Sequence, residues 1–276
     1  MYATAPSGVL LASANSNNPG KIAEMLRKAL EAWANLPRSE RLLADDPQSM
    51  AEEVQRVRAE RWYPDGGLAL RIHTRDLPRL DGSDPAPPGD WRARALNRDF
   101  AWFTPDEARQ FIPEVPSPGQ SRSVPELLIQ RLSRLHFVDN VRGQTSPYRP
   151  HEVETAQLKS TITAADGPRV TLHLEGRVRL SAEGVWPIDD RHDAQNPKLR
   201  SRGFDAGMLG YAVWDTGRQQ FTAFDLLAVG DRWGGTQYNR RDDDLAPAPM
   251  GIALTLAANT PADRVAPAAF WGYGWK

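Results

Sequence analysis

The sequence predicts an α+β protein, with a short α/β segment at the N-terminus followed by a predominantly antiparallel β domain, a sandwich or a partly closed barrel. Three observations predict it. The opening residues read strand, tight turn, strand and helix; at least five strand patterns joined by short turns fill the C-terminal part; and residues 209–233 read as a hairpin. The division falls near residue 65, with a β-rich domain over 66–276 that contains two short helices near 105–112 and 125–135.

Tyr2 to Thr4 and Val9 to Ala12 flank the turn Ala5-Pro6-Ser7-Gly8. Asn18 then offers a cap with Pro19 at the first helical position. Ile22, Met25, Leu26, Ala29, Leu30 and Trp33 follow at helical spacing, which predicts a helix over 19–34. Asp46-Pro47 repeats the signal for a second helix ending near Arg61. Leu68, Leu70 and Ile72 alternate with Ala69, Arg71 and His73 as a half-buried strand, and the Pro- and Gly-rich stretch after Arg79 reads as a loop. Thr104 and Glu107 form a capping box ahead of Ile112, and Ser123 with Glu126 repeats the pattern before Leu127, Leu128, Leu132 and Leu135.

Beyond residue 150 the pattern is that of strands: Gln157 to Ala164, Val170 to Leu180, the central hairpin, and a last strand with Met250, Ile252, Leu254 and Leu256 on one face. Trp186 to Phe204 reads as a long polar loop. The hairpin consists of LGYAVW, the turn Asp215-Thr216-Gly217-Arg218, and QQFTAFDLLAVGDRW. Counting by twos from Phe221 places Ala223, Asp225, Leu227 and Val229 on one face, with Thr222, Phe224, Leu226 and Ala228 on the other. Neither face suits water, so a central strand covered on both sides is expected.

The ββα order of the first 35 residues, with its PSG turn, resembles the C-terminal end of a thioredoxin-like domain. That resemblance implies a hairpin packed under a last helix and nothing about chemistry, because the CxxC of that family is absent. An ordinary hairpin plus helix explains the same residues.

Composition excludes several functions. Cysteine is absent, which removes disulfides, thiol catalysis and zinc–thiolate sites. A net charge of -1 provides no field for a polyanion, so neither nucleic acid nor a membrane surface is an expected partner. The bias of Arg over Lys is what a GC-rich bacterial genome would produce. No signal segment is visible, which reads as cytoplasmic as written, and an extracytoplasmic origin stays open for a trimmed chain. No P-loop, GxGxxG or GxSxG is present and His151-Glu152-Val153-Glu154 does not complete HExxH, so no cofactor or metal is expected.

Four constellations remain. Asp225, flanked by apolar residues, is a candidate general acid, with Asp139 or Asp231 as the second carboxylate of a glycosidase-like pair; the alternative is an Arg–Asp ion pair. Arg232, Trp233, Tyr238 and Asn239 follow the central strand and combine stacking faces with hydrogen-bond groups suited to a sugar. Asp189, Asp190, His192 and Asp193, and separately Asp242 to Asp244, have the ligand types for a divalent cation without its spacing, and read as solvated loops. His136, Asp139 and Arg142 are a candidate base, acid and anion clamp. Trp62, Trp91, Trp102 and Trp186 are expected in loops. Two functions follow as expectations: a metal-independent hydrolase of a glycoside or other polar small molecule, or a non-catalytic module binding a glycan or protein.

Overall fold

A computed structural model describes residues 1–16, 18–42, 59–83, 89–188 and 198–275. They fall into two compact units, Met1–Arg61 and Trp62–Lys276. In the first, strands β1 (Tyr2–Thr4) and β2 (Leu10–Ser13) pair antiparallel, and the helix Pro19–Asn35 follows. The Asn18 side chain accepts from the amides of Gly20 and Lys21, so the helix starts where its cap and proline dictate. Met25 and Ala29 are buried, while Leu26 and Leu30 are exposed. Of the expected second helix ending near Arg61, residues 46–58 lie outside the described residues, and Ala59–Trp62 forms a short 3-10 turn.

The second unit is a single eight-stranded antiparallel sheet. Its strands are β3 (Leu68–Asp76), β4 (Leu96–Phe103), β5 (Ser121–Ser123), β6 (Val153–Asp166), β7 (Arg169–Trp186), β8 (Lys198–Asp215), β9 (Gln220–Trp233) and β10 (Ala248–Leu256). Their order is β4-β3-β10-β9-β8-β7-β6-β5, with edges at β4 and β5, so the sheet is not closed into a barrel. The residues expected as a loop from Trp186 to Phe204 are partly strand. Trp186 pairs with Lys198 and the ladder runs on to Leu180 and Phe204. Past the core the inward positions need not be apolar, so hydrophobic alternation stops before the strands do.

Strand β4, whose LNRDFAWF shows no clean alternation, is buried on both faces at its end. Ala101 and Phe103 stand beside Leu70 and Leu68, while Trp102, expected in a loop, packs against Tyr63, Phe270 and Trp275. The capping box forms, with Glu107 N donating to Thr104 Oγ1 at 3.2 Å and Thr104 N to Glu107 Oε2 at 2.9 Å, and starts the short helix Pro105–Arg109. The next helix, Glu126–His136, follows Pro125 without a side-chain cap, because Ser123 is held in the edge ladder opposite Lys159. Its Leu128, Ile129 and Leu132 cover one face of the sheet and complete the core with Phe111, Phe224 and Leu254.

The central strand departs from the expectation at one residue. Pairing runs Trp214 with Phe221 and then Val213 with Ala223, so Thr222 has no partner and β9 bulges. The bulge lets both Phe221 and Phe224 face the core. It also puts Asp225, Leu227 and Val229 on the opposite, exposed face with Leu209 and Tyr211. The strand is covered on one side only. No helix of the described residues is long and apolar enough to cross a membrane.

Candidate functional site

At one end of the sheet the core-facing rows change from apolar to ionic. The inward row of β3 passes from Leu70 and Ile72 to Thr74 and Asp76, and that of β9 from Leu226 and Ala228 to Arg232. Buried charges require partners, and here they supply one another. Arg241 uses every guanidinium donor. Nη2 and Nη1 reach the two oxygens of Asp76 at 2.7 and 2.9 Å, Nε and Nη2 reach those of Asp139 at 2.8 Å each, and Nη1 also reaches Asp244 at 3.1 Å. Arg142 bridges Asp76 at 2.8 Å and Asp244 at 3.0 Å, while Arg232 and Arg79 also bind Asp244.

Burial alone would push the Asp76 carboxyl up, but the hydrogen bonds and charges of Arg241 and Arg142 outweigh it and hold it below the usual carboxylate range. Burial likewise works against the Arg241 charge, and its bonds to Asp76 and Asp139 reverse the effect and raise it. Arg232 moves the other way, lowered by burial and by the nearby Arg241. Three buried guanidinium groups on three carboxylates therefore clamp together β3, β9 and the segments 139–142 and 241–244.

That clamp fixes two loops which meet face to face. Gly143 lies against the backbone of Tyr238, where a Cβ would come within 2.0 Å of the carbonyl oxygen, and Gln144 N donates to that oxygen at 3.1 Å. Only glycine permits this approach. Asn140 Oδ1 accepts from Thr145 N at 2.8 Å and Asn239 Oδ1 from Thr236 N at 2.9 Å, closing each loop on itself. Arg240 takes a left-handed φ of 54°, which turns Asn239 and Arg241 inward and leaves Arg240 in water over Trp91.

Between the loops and the ends of β7 and β8 lies a cleft of about 440 Å³. Tyr238 and Trp186 give it aromatic surface, Gln144, Thr145 and Gln237 give amide and hydroxyl groups, and Arg202 with Arg149 gives cations. Tyr238 is exposed, whereas Trp186 is held by Nε1 donating to Gly235 O at 2.8 Å. Tyr148, buried beside Arg202, has its phenol pushed up by desolvation and stays neutral.

The structure distributes the expected site residues over four places. Tyr238 lines the cleft, and Arg232, Asn239, Arg142 and Asp139 form the frame beneath it. Asp139 is not a free base or nucleophile, because both its oxygens are taken by Arg241. Asp231 and Trp233 lie on the other face, in a shallow groove of about 580 Å³ shared with Arg177, Arg179 and Asp205. Asp225 stands apart, opposite Tyr211 and Thr255 and exposed, so the burial on which its acid role rested is absent.

His136 belongs elsewhere as well. Its Nδ1 is 2.8 Å from Asp99 Oδ2 and its Nε2 is 2.7 Å from Tyr273 Oη, a buried chain that ties the C-terminal turn Phe270–Tyr273 to β4. Burial pushes Asp99 up, but the hydrogen bond and charge of His136, with the amides of Ala268 and Phe100, hold it below its ordinary value. His136, Asp139 and Arg142 therefore do not form one constellation. Asp244, expected in a solvated acidic loop, is buried at the centre of the clamp. Asp189, Asp190, His192 and Asp193 lie outside the described residues. Asp76 and Arg202 were not foreseen; the inward parity of β3, carried four residues past Ile72, points to Asp76.

No family model, curated protein or solved structure matches the chain. Its chemistry is therefore read from the cleft alone.

Proposed function

We propose that the chain is a non-catalytic module binding a glycan or a similar polar small molecule, and that the ligand occupies the cleft at Tyr238. One observation carries the reading: aromatic surface and neutral hydrogen-bond groups converge on a concavity of small-molecule size, over a frame that ion pairs hold still. Stacking on Tyr238 and Trp186 suits the apolar faces of sugar rings, and Gln144 and Thr145 suit their hydroxyl groups. The hydrolase expectation has lost its buried acid, and Asp225, Asp139 and Asp231 stand at three separate places.

Titration of the chain with a set of neutral and acidic oligosaccharides tests the reading. Saturable binding that Tyr238→Ala weakens by about tenfold or more supports it. Binding that ignores Tyr238 would remove it, and release of reducing ends from a bound oligosaccharide would favour a hydrolase instead.

Two readings of architecture accompany this one. We propose that the sheet with its covering helices and loops is sandwich-like within an α+β chain, supported by one buried and one exposed sheet face. We propose also that residues 1–35 are the closing hairpin and helix of a thioredoxin-like domain, supported by their ββα order and by the exposed apolar residues Leu10, Leu26 and Leu30.

A further inference from the structure

Arg202 differs from the arginines of the frame beneath the cleft, and from Arg149 at its edge, which is exposed. Arg202 sits in the inward row of β8 opposite Ala182, half-buried, with its guanidinium 4.3 Å over the ring of Tyr148. Arg142, Arg232 and Arg241 each hold a carboxylate, as do Arg177 and Arg179 on the far face. Arg202 holds none among the described residues. Its donors reach only neutral oxygens and at long range, Nη1 to Thr145 Oγ1 at 3.3 Å and Nη2 to Pro147 O at 3.4 Å. A half-buried guanidinium with such weak acceptors keeps most of its capacity for an anion, and its planar fork matches a carboxylate.

We infer that the ligand of this cleft carries a single carboxylate, as a sugar acid does, and that Arg202 receives it. The inference rests on the cleft being the binding site. Tyr148 lies beneath the guanidinium, and this contact together with the bonds to Thr145 and Pro147 holds Arg202 in place before the ligand arrives. The rim sets an upper limit on ligand charge. Arg149, Glu152 and Glu183 border the opening, with Glu152 Oε2 accepting from Arg149 N at 2.7 Å and the Arg149 and Glu183 side chains exposed. Two carboxylates against the one rim cation of Arg149 disfavour a dense polyanion while leaving one deep carboxylate at Arg202 favourable. The ligand class is accordingly a mainly neutral saccharide with one acidic group, stacked on Tyr238 and anchored at Arg202.

Matched pairs of probes test this: sialyllactose against lactose, a glucuronate-bearing xylotriose against xylotriose, and an aldobiouronic acid against its carboxyl-reduced form. Each is titrated calorimetrically into the full chain and into Arg202→Met and Arg202→Lys, with urea midpoints confirming that the variants fold. The expected result is that the acidic member of at least one pair binds about tenfold or more tighter than its neutral partner. Arg202→Met closes that gap, and Arg202→Lys keeps part of it. Equal binding of acidic and neutral members overturns the inference and leaves the cleft as a neutral-sugar site. A gap that survives in a folded Arg202→Met overturns the role of Arg202, and no binding of any probe overturns both this inference and the reading beneath it.

Discussion

Gly143 and Tyr238 touch through their backbones so closely that the space for a methyl group on Gly143 is already filled by the Tyr238 carbonyl. Gly143→Ala must therefore push one loop from the other and carry the Tyr238 ring with it. We expect a loss of about 1 to 3 kcal/mol in stability, as for other overpacked sites, together with weakened binding at the cleft and an unchanged far-ultraviolet spectrum. Wild-type binding in this variant would disconnect the contact from the site.

Arg241→Met tests the clamp. Removing the guanidinium leaves Asp76, Asp139 and Asp244 crowded without their shared partner, and a broken buried ion pair costs about 3 to 5 kcal/mol. Arg240→Met, next to it but exposed, should cost under about 0.5 kcal/mol. Urea midpoints measured side by side separate the two; similar losses would show that the cluster is not the clamp described here.

Acid should release both polar networks. Asp76 and Asp99 are held below their ordinary values in the folded chain, so the unfolded chain binds more protons as the pH falls. The stability they supply is fully present above the unfolded carboxyl value of about 3.9 and is lost as the pH drops through the lower folded values. Thermal midpoints from pH 7 down to pH 2.5 should fall steeply below about pH 4, and less steeply in Asp99→Asn. A flat profile to pH 3 would remove this account of both residues.

Asp225→Asn should change almost nothing. The side chain is exposed on the uncovered face of the sheet, and surface substitutions of this kind stay within about 0.5 kcal/mol. Both the denaturation midpoint and oligosaccharide binding are expected to match the wild type. A defect in binding with the fold intact would mean that the ligand reaches the outer face.

Much of the fold was legible in the sequence because its signals are local. Asn18 and Pro19 start the first helix, Thr104 and Glu107 start another, and Asp215 to Arg218 turn the central hairpin through amides bonded to the Asp215 carboxylate. The misreadings came from non-local facts. A bulge at Thr222 adds one residue to the count and reverses the face of everything after it, so alternation read from Phe221 assigned Asp225 to the core. The arrangement of the site was hidden for a similar reason. Arg241 meets Asp76 and Asp139 across 165 and 102 residues, and a single sequence contains no sign of which arginine answers which aspartate. Tyr238, Arg232 and Asn239 stand out together because they follow one another closely in the chain, but only Tyr238 lines the cleft, while Arg232 and Asn239 are buried in the frame.

A sheet that does not close must stop at two borders, and here the outermost strand of one of them is only three residues long. Ser121–Ser123 pairs only with Lys159–Thr161, so most of this border is the edge of β6 (Val153–Asp166) on either side of it, and a strand added there would meet β6 rather than β5. The long strands β7 and β8, which would template such growth most effectively, are kept in the interior of the sheet.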